Sequence, residues 1–492
     1  MSDTDSLKNK TVSALFYSFG GFLANSGIQF IIGIIMARLL LPKDYGIMGM
    51  VAIFIAISQI FIDSGMTQAL IREKNVSQAD YSTVFYYNLL IAIVIYALLF
   101  ISAKAISDFF REPVLINIIR VVGLGMLISS LGLIQSTILI RKLDFKTQTK
   151  IGVISSISSG IIGIVFAYFG YAVWSLVITN LLNQVITLFL LIVSNKWLPL
   201  LTFNVNSFKR FFGFGWKMLL TALLGTLYAN LYNVIIGRIY SATQLGYYTK
   251  SLSLKDIAAN SITTSVTKVS YPVFSSLQDD TDSLKSGFKK IIKNTSFLTF
   301  PMMIGLATVA SPLIQVLFGN NWMPIVPYFQ ILCLTGTTLP HRSINLNILL
   351  VKGRSDLFLG LDILKMIISL LIIAVVIVFD YGIYGLLWAN FISTIIAFFV
   401  NSYFSGKFIS YSTKEQIIDM IPALLNSILM GVIVYFSGVI LPQNSFIRLA
   451  MQITIGIVTY VFLSKLAKVE EFDMMYQLVV TLFKKIKDKS NY

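Results

Sequence analysis

Apolar positions in this chain run in long blocks, without the half-buried stripes of a soluble fold. A helix needs about 20 mostly apolar residues to cross a bilayer. Fourteen blocks meet that length, centred near residues 26, 53, 92, 128, 160, 183, 226, 261, 304, 337, 368, 394, 429 and 454. The eighth, about 247–275, is much more polar than the others, and the tenth, about 324–351, is polar in its second half. The first break between blocks, "ARLLLPKDYG" at 37–46, returns 200 positions later as "GRIYSATQLG" at 237–246. Arg38 matches Arg238, and Gly46 matches Gly246. Six blocks separate the two breaks. Because that number is even, both halves enter the membrane from the same side, as in parallel repeats related by an axis along the membrane normal.

The pattern predicts an all-α polytopic membrane protein of about 14 transmembrane helices. Two six-helix lobes are expected over 1–195 and 214–406, joined by an interfacial linker at 196–213. A helix pair at 407–466 and an amphipathic cytoplasmic tail at 467–492 complete the expected domains. In the tail, Phe472, Met475, Val479, Leu482 and Ile486 recur at helical spacing. Composition agrees: 56% of residues are hydrophobic and 12% charged, against about 25% charged in a soluble domain.

The net charge of +16 could point to nucleic acid, but in a membrane chain it records basic cytoplasmic loops. With the N-terminus placed in the cytoplasm, 25 of the 38 lysines and arginines fall inside, six outside and seven within spans. That asymmetry fixes the expected orientation, with both termini on the cytoplasmic side. The first block reads as a retained helix and not as a signal peptide. One cysteine, Cys333, excludes an intrachain disulfide. One histidine, His341, is too little for a His-based metal site or a Ser–His–Asp arrangement. No G-x-x-x-x-G-K-[ST] loop is present, so no cofactor is expected. An ion gradient (proton or sodium), the membrane potential or removal of product is left as the driving force. The expected outer loops, such as "FGYA" at 169–172 and "FDYG" at 379–382, are short; membrane glycan polymerases and ligases generally carry a large one.

A charge at the bilayer centre costs about 2.5–3.5 kcal/mol on insertion scales, so intramembrane charges need a reason. In the eighth helix, Lys250, Ser253, Asp256, Asn260, Thr264, Thr267 and Tyr271 share one face, with Lys268 at its edge. Such a stripe lines water or a substrate, or else hydrogen-bonds within a packed bundle. In the tenth, Thr335, Thr338, Arg342 and Asn345 share a face, with Pro340 expected to kink the helix. A guanidinium holds phosphate oxygens in a two-pronged fork and stays charged at any physiological pH, which makes Arg342 the first candidate for an anionic ligand. The opposing reading gives Arg342 an internal salt bridge to Asp362. Asp362 and Lys365, three apart, are placed to neutralise each other. Asn25 in the first helix could meet sugar hydroxyls or a neighbouring helix. Arg38 and Arg238 at the outer ends could release an anionic substrate or anchor to headgroups. Arg120 and Lys217 are expected to snorkel, Asp63 to end a helix, and His341 to be hydrogen-bonded structurally.

"ARLLLPKDYG" followed by "FIDSGMTQALI" resembles the first two helices of bacterial oligosaccharide flippases, the polysaccharide transporter branch of the multidrug/oligosaccharidyl-lipid/polysaccharide exporter superfamily. "KVSYPVFSSLQDD", "FPMMIGLATVASPLIQVLFGNNW" and "ILLVKGRSDL" resemble second-half motifs of the same family, near its lipopolysaccharide and colanic acid exporters. The resemblance covers essentially the whole chain. It implies two six-helix lobes plus a final pair, and export of an undecaprenyl-diphosphate-linked glycan by alternating access. The partners it implies are that lipid-linked oligosaccharide, membrane lipids and other polysaccharide assembly proteins, without nucleic acid. Substrate contacts are then expected from Arg342, Lys268, Lys250, Asp256, Asn260, Thr264, Thr338, Asn345, Asn25, Arg38 and Arg238. Multidrug exporters of the superfamily use acidic residues in the first lobe, whereas helix one here, 14–37, contains no Asp or Glu. The peptidoglycan-precursor flippase matches in helix number, but the quoted motifs fit the polysaccharide branch better.

Overall fold

The computed structural model describes residues 3–474 together with 477 and 481. Every regular element among them is a helix, and the chain divides into two compact units, Met1–Thr249 and Lys250–Tyr492. The first unit contains α1 (Asp3–Leu39), α2 (Pro42–Asp63), α3 (Met66–Arg72), α4 (Gln78–Phe110), α5 (Leu115–Arg141), α6 (Phe145–Tyr168), α7 (Val173–Asn195) and α8 (Val205–Ile239). Helix α9 (Ala242–Ser276) begins in it and continues into the second unit.

Local chemistry sets the helix ends. Pro42 opens α2, where its missing N–H would have had no partner, and the Asp44 carboxylate accepts from Leu41 N–H at 2.9 Å. Asp63 is the last residue of α2, as its sequence context predicts. The chain then turns through Ser64 and Gly65, both left-handed at φ 48° and 68°. Ser77 and Asp80 cap α4 reciprocally. Within the unit α4 packs along α5, α1 along α6, and α6 along α7.

The two repeated breaks meet each other. A Cβ on Gly46 would collide with the carbonyl oxygen of Ala242, and one on Gly246 with that of Pro42. Each glycine thus admits the first turn of the helix that follows the other break. The motif recurs because the two copies form one reciprocal backbone contact. Neighbouring turns converge on it: Lys43 pairs with Glu112 at 3.2 Å, and Arg238 donates to the Phe109 carbonyl. At the far end of α2 the same device recurs, with Gly65 against the Gly215 carbonyl and Gly215 against that of Ser64.

The segment between α7 and α8 is stitched down. Gln135 Nε2 donates to the Trp197 carbonyl at 2.8 Å, and Leu200 N–H to Ser82 Oγ at 2.9 Å. Asn204 N–H donates to Thr83 Oγ1 at 3.0 Å, and Arg210 pairs with Asp80 at 2.9 Å. The Trp197 indole donates to Gln78 Oε1 at 2.6 Å and meets Phe85 edge-on at 5.8 Å. Trp197→Ala removes about 2 kcal/mol from this attachment. Limited proteolysis should then cut within 198–203 at rates the parent protein resists; unchanged protection would show that the segment is held by other contacts.

The second unit holds the rest of α9 and α10 (Thr281–Thr308), α11 (Ala310–Phe318), α12 (Val326–Gly336), α13 (Leu339–Val351), α14 (Ser355–Val378), α15 (Gly382–Ile409), α16 (Thr413–Ile440) and α17 (Ser445–Leu466). α10 and α11 meet at a 71° bend. Lys285, Lys289 and Lys293, one turn apart on α10, reach Glu415 at 3.1 Å, Asp419 at 3.2 Å, and Glu470 and Glu471 at 3.0 Å. This ladder, over a core that includes Phe297, Val434, Tyr460 and Phe472, docks the last helix pair on α10. Apart from Phe472, the tail residues picked out by helical spacing (Met475, Val479, Leu482 and Ile486) lie outside the described residues.

Ten described helices, α2, α4–α8 and α14–α17, are long and apolar enough to span a membrane, or eleven if the bent α10–α11 pair is one span. Thirteen of the fourteen block centres fall on a helix; the tenth falls on the turn at 337–338 that separates α12 from α13. Pro340 lies in the first turn of α13, so the expected kink is a break placed just before it.

Candidate functional site

Helix α9 has two unlike faces. Ser251, Lys255, Ala258, Ala259 and Ser270 are buried, while Ser253, Asn260, Thr264, Lys268 and Tyr271 are exposed and Lys250, Asp256 and Thr267 half-buried. The exposed set is the stripe that helical spacing predicts. Thr267 Oγ1 in the stripe bonds back to the Thr263 carbonyl at 2.7 Å, and outside the stripe Ser261 and Ser265 do likewise within α9. Lys250 lies 4.9 Å over the Phe318 ring. Asp256 pairs with Lys255 at 2.6 Å. Sequence reasoning missed Lys255, because it lies on the opposite side of the helix from the stripe.

A two-residue turn at 337–338, whose residues keep right-handed helical backbone angles, divides α12 from α13 between Thr335 and Arg342. Thr335 before the turn and Thr338 within it are buried, and Asn345 is buried one turn beyond half-buried Arg342. Their hydrogen bonds run into the protein. Asn345 Nδ2 donates to the His341 carbonyl at 2.8 Å, and its Oδ1 accepts from Ser405 Oγ. His341 is fully buried and stacks on Phe300 at 5.5 Å. Its Nδ1 lies 3.0 Å from the Thr337 carbonyl and its Nε2 2.8 Å from Ser296 Oγ, the structural setting its sequence context predicts.

Around Arg342 the structure assembles a network over three helices. Lys365 on α14 reaches Asp362 Oδ1 at 2.6 Å and Asn401 Oδ1 on α15 at 3.1 Å. Asn401 Nδ2 donates to the Arg342 carbonyl at 3.3 Å. Asn401, Ser402 and Ser405 were legible as a polar set in an otherwise apolar helix, "FFVNSYFSGKF", but nothing local tied them to Arg342. Beside the break opens an apolar cleft of about 680 Å3, lined in part by Phe300, Thr337, Thr338, Phe398, Met420 and Tyr435.

The remaining candidates belong to the first unit. Asn25 Oδ1 accepts from Ser156 Oγ at 2.7 Å, which ties α1 to α6. Arg38 is exposed in the last turn of α1. Arg238 lies 5.0 Å over the Phe109 ring besides its bond to the Phe109 carbonyl, and Arg120 stacks on Phe100 at 4.3 Å. Among the described residues no group of three or more His, Cys, Asp or Glu is placed to hold a metal.

Residues 35–327 match the model of the family described as polysaccharide biosynthesis protein. The chain belongs to that family. Among curated relatives of this polysaccharide biosynthesis protein, the teichuronic acid biosynthesis protein TuaB of Bacillus subtilis (strain 168) is 26% identical over 420 residues, covering 82% of this chain and 85% of TuaB. The lipopolysaccharide biosynthesis protein WzxC of Escherichia coli (strain K12) is 24% identical over 404 residues, covering 80% and 81%. Among solved structures, the lipid II flippase MurJ in its inward closed conformation superposes with a TM-score of 0.74 at 19% identity, covering 92% of this chain and 98% of MurJ. The fold is therefore shared with MurJ. Family membership agrees with the resemblance carried by the quoted motifs.

Proposed function

We propose that this polysaccharide biosynthesis protein is a flippase that carries a prenyl-diphosphate-linked oligosaccharide across the bacterial cytoplasmic membrane by alternating access. It acts without altering a covalent bond. The observation that carries this reading is the polar face of α9. An exposed row of hydroxyl, amide and ammonium groups in a chain of apolar helices is unstable against acyl chains and favourable against water or sugar. Relatives named for teichuronic acid and lipopolysaccharide biosynthesis and a fold shared with a lipid II flippase support it. Arg342 suits the diphosphate, and the apolar cleft beside the α12–α13 turn suits a lipid chain. Lys250, Lys268, Asp256, Asn260 and Thr264 suit the saccharide, while Thr338, Asn345, Asn25 and Arg238 support the helices that present those groups. Arg38, exposed at the end of α1, suits headgroup or product contact. Either a proton or a sodium gradient fits the absence of a nucleotide loop.

Reconstitution into liposomes with a fluorescent prenyl-diphosphate-linked oligosaccharide tests the proposal. The expected result is movement of intact label between leaflets, dependent on the protein. A covalently changed product, or no acceleration over protein-free liposomes, overturns it. Asn260→Leu with Thr264→Leu should slow movement by about tenfold, through loss of one to two sugar hydrogen bonds. An equal rate in that variant would remove α9 from the site.

A further inference from the structure

Lys365 is buried in α14 with its side chain 6% exposed, while the Asp362 side chain that pairs with it is 46% exposed. The carboxylate therefore covers the ammonium from the open flank of the helix. Asp362 lies seven residues into α14, roughly 10 Å along it. A half-exposed carboxylate there is far better solvated by water than by acyl chains. The ammonium has two holders of different kinds: the half-exposed carboxylate and the buried amide oxygen of Asn401 at 3.1 Å. That same amide donates to the Arg342 carbonyl, so Lys365 and the backbone carrying Arg342 are mechanically joined. The Asp362 carboxylate thus lies between the buried Lys365 ammonium and the open flank of α14, the side from which an anion would arrive.

We propose that Asp362 is an internal stand-in for substrate phosphate. It neutralises Lys365 in the unloaded carrier and gives way when a prenyl-linked diphosphate binds between Arg342 and Lys365. The inference rests on the reading of Arg342 as the diphosphate-binding residue and adds to it a second cation and a displaceable counter-ion. The arrangement serves transport in both directions of the cycle. Without substrate the buried ammonium keeps a partner, so that the unloaded protein is stable. The returning carboxylate competes with the bound phosphate, and so helps to release it.

The test measures binding of farnesyl diphosphate to the full-length protein in detergent, with farnesol and phosphatidylglycerol as comparison ligands. Farnesyl diphosphate should bind more tightly than either. Asp362→Asn should bind it about tenfold more tightly than the parent, and Lys365→Met about tenfold more weakly. Farnesol binding should stay level in both. Where Asp362→Asn does not fold, the double variant Asp362→Asn/Lys365→Met, which leaves no unpaired buried charge, carries the test. Weaker diphosphate binding in it supports the proposal and parental binding overturns it. Unchanged or weaker binding by a folded Asp362→Asn, unchanged binding by Lys365→Met, or phosphatidylglycerol binding as tightly as farnesyl diphosphate each overturns it. Loss of binding in Arg342→Gln alone, with the pair variants inert, overturns this inference and leaves the flippase reading standing. No preference for diphosphate over farnesol in the parent protein overturns the role of Arg342 itself.

Discussion

Arg342→Gln should lower translocation of a lipid-linked oligosaccharide by about two orders of magnitude while leaving the protein folded. Charge-assisted hydrogen bonds are worth about 1.5–3 kcal/mol each, and 2.7 kcal/mol is a factor of about a hundred. Arg342 is half-buried, one turn after the α12–α13 break, with its carbonyl held by Asn401. Glutamine keeps a polar group and leaves the backbone bonds in place but is shorter and loses the charge and the fork. Arg342→Lys retains the charge without the fork and should fall between, about tenfold below the parent. The measurement is leaflet exchange in liposomes, with gel filtration in detergent as the folding control. Parental exchange by folded Arg342→Gln would remove the residue from the site. Equal loss in Arg342→Lys and Arg342→Gln would show that geometry, and not charge, carries its role.

The second large effect is at the paired breaks. Gly46→Val and Gly246→Val should each cost about 3 kcal/mol, the upper end of ordinary overpacking. The atom in the way is a backbone carbonyl, on Ala242 in one case and Pro42 in the other, and a carbonyl has no rotamer by which to withdraw. Gly225→Val is the control, because a Cβ at Gly225 would meet nothing within 4 Å. Thermal melting in detergent should rank Gly225→Val near the parent and the other two well below it. The double variant Gly46→Val/Gly246→Val should cost less than the sum of the singles, since once the contact has opened for one side chain the other finds room. Melting temperatures equal to that of Gly225→Val would mean that the two breaks do not bear on each other as described.

Hydropathy and charge are properties of short stretches, and what depended on them was legible in the sequence. The membrane character of the chain, the positions of the helical blocks, the polar face of α9, the helix end at Asp63 and the Asp362–Lys365 pair all follow from residues within a turn or two of each other. Only the tertiary structure decided what lies across long separations. The two breaks were visible as a repeat, but that Gly46 and Gly246 exist to admit each other's backbones required both in space. Thr335, Thr338, Arg342 and Asn345 share a face on an ideal helix, but only the fold shows that a turn at 337–338 interrupts that helix and that Asn345 bonds Ser405 on α15. Arg238 carries a charge suited to an anion, and only the fold shows that it also bonds the Phe109 carbonyl 129 residues away. Asn401 gave no sign by itself that it would join Lys365 to Arg342. A side chain's type fixes which partners it can accept, but distance decides which one it has, and distance is set by how the helices pack.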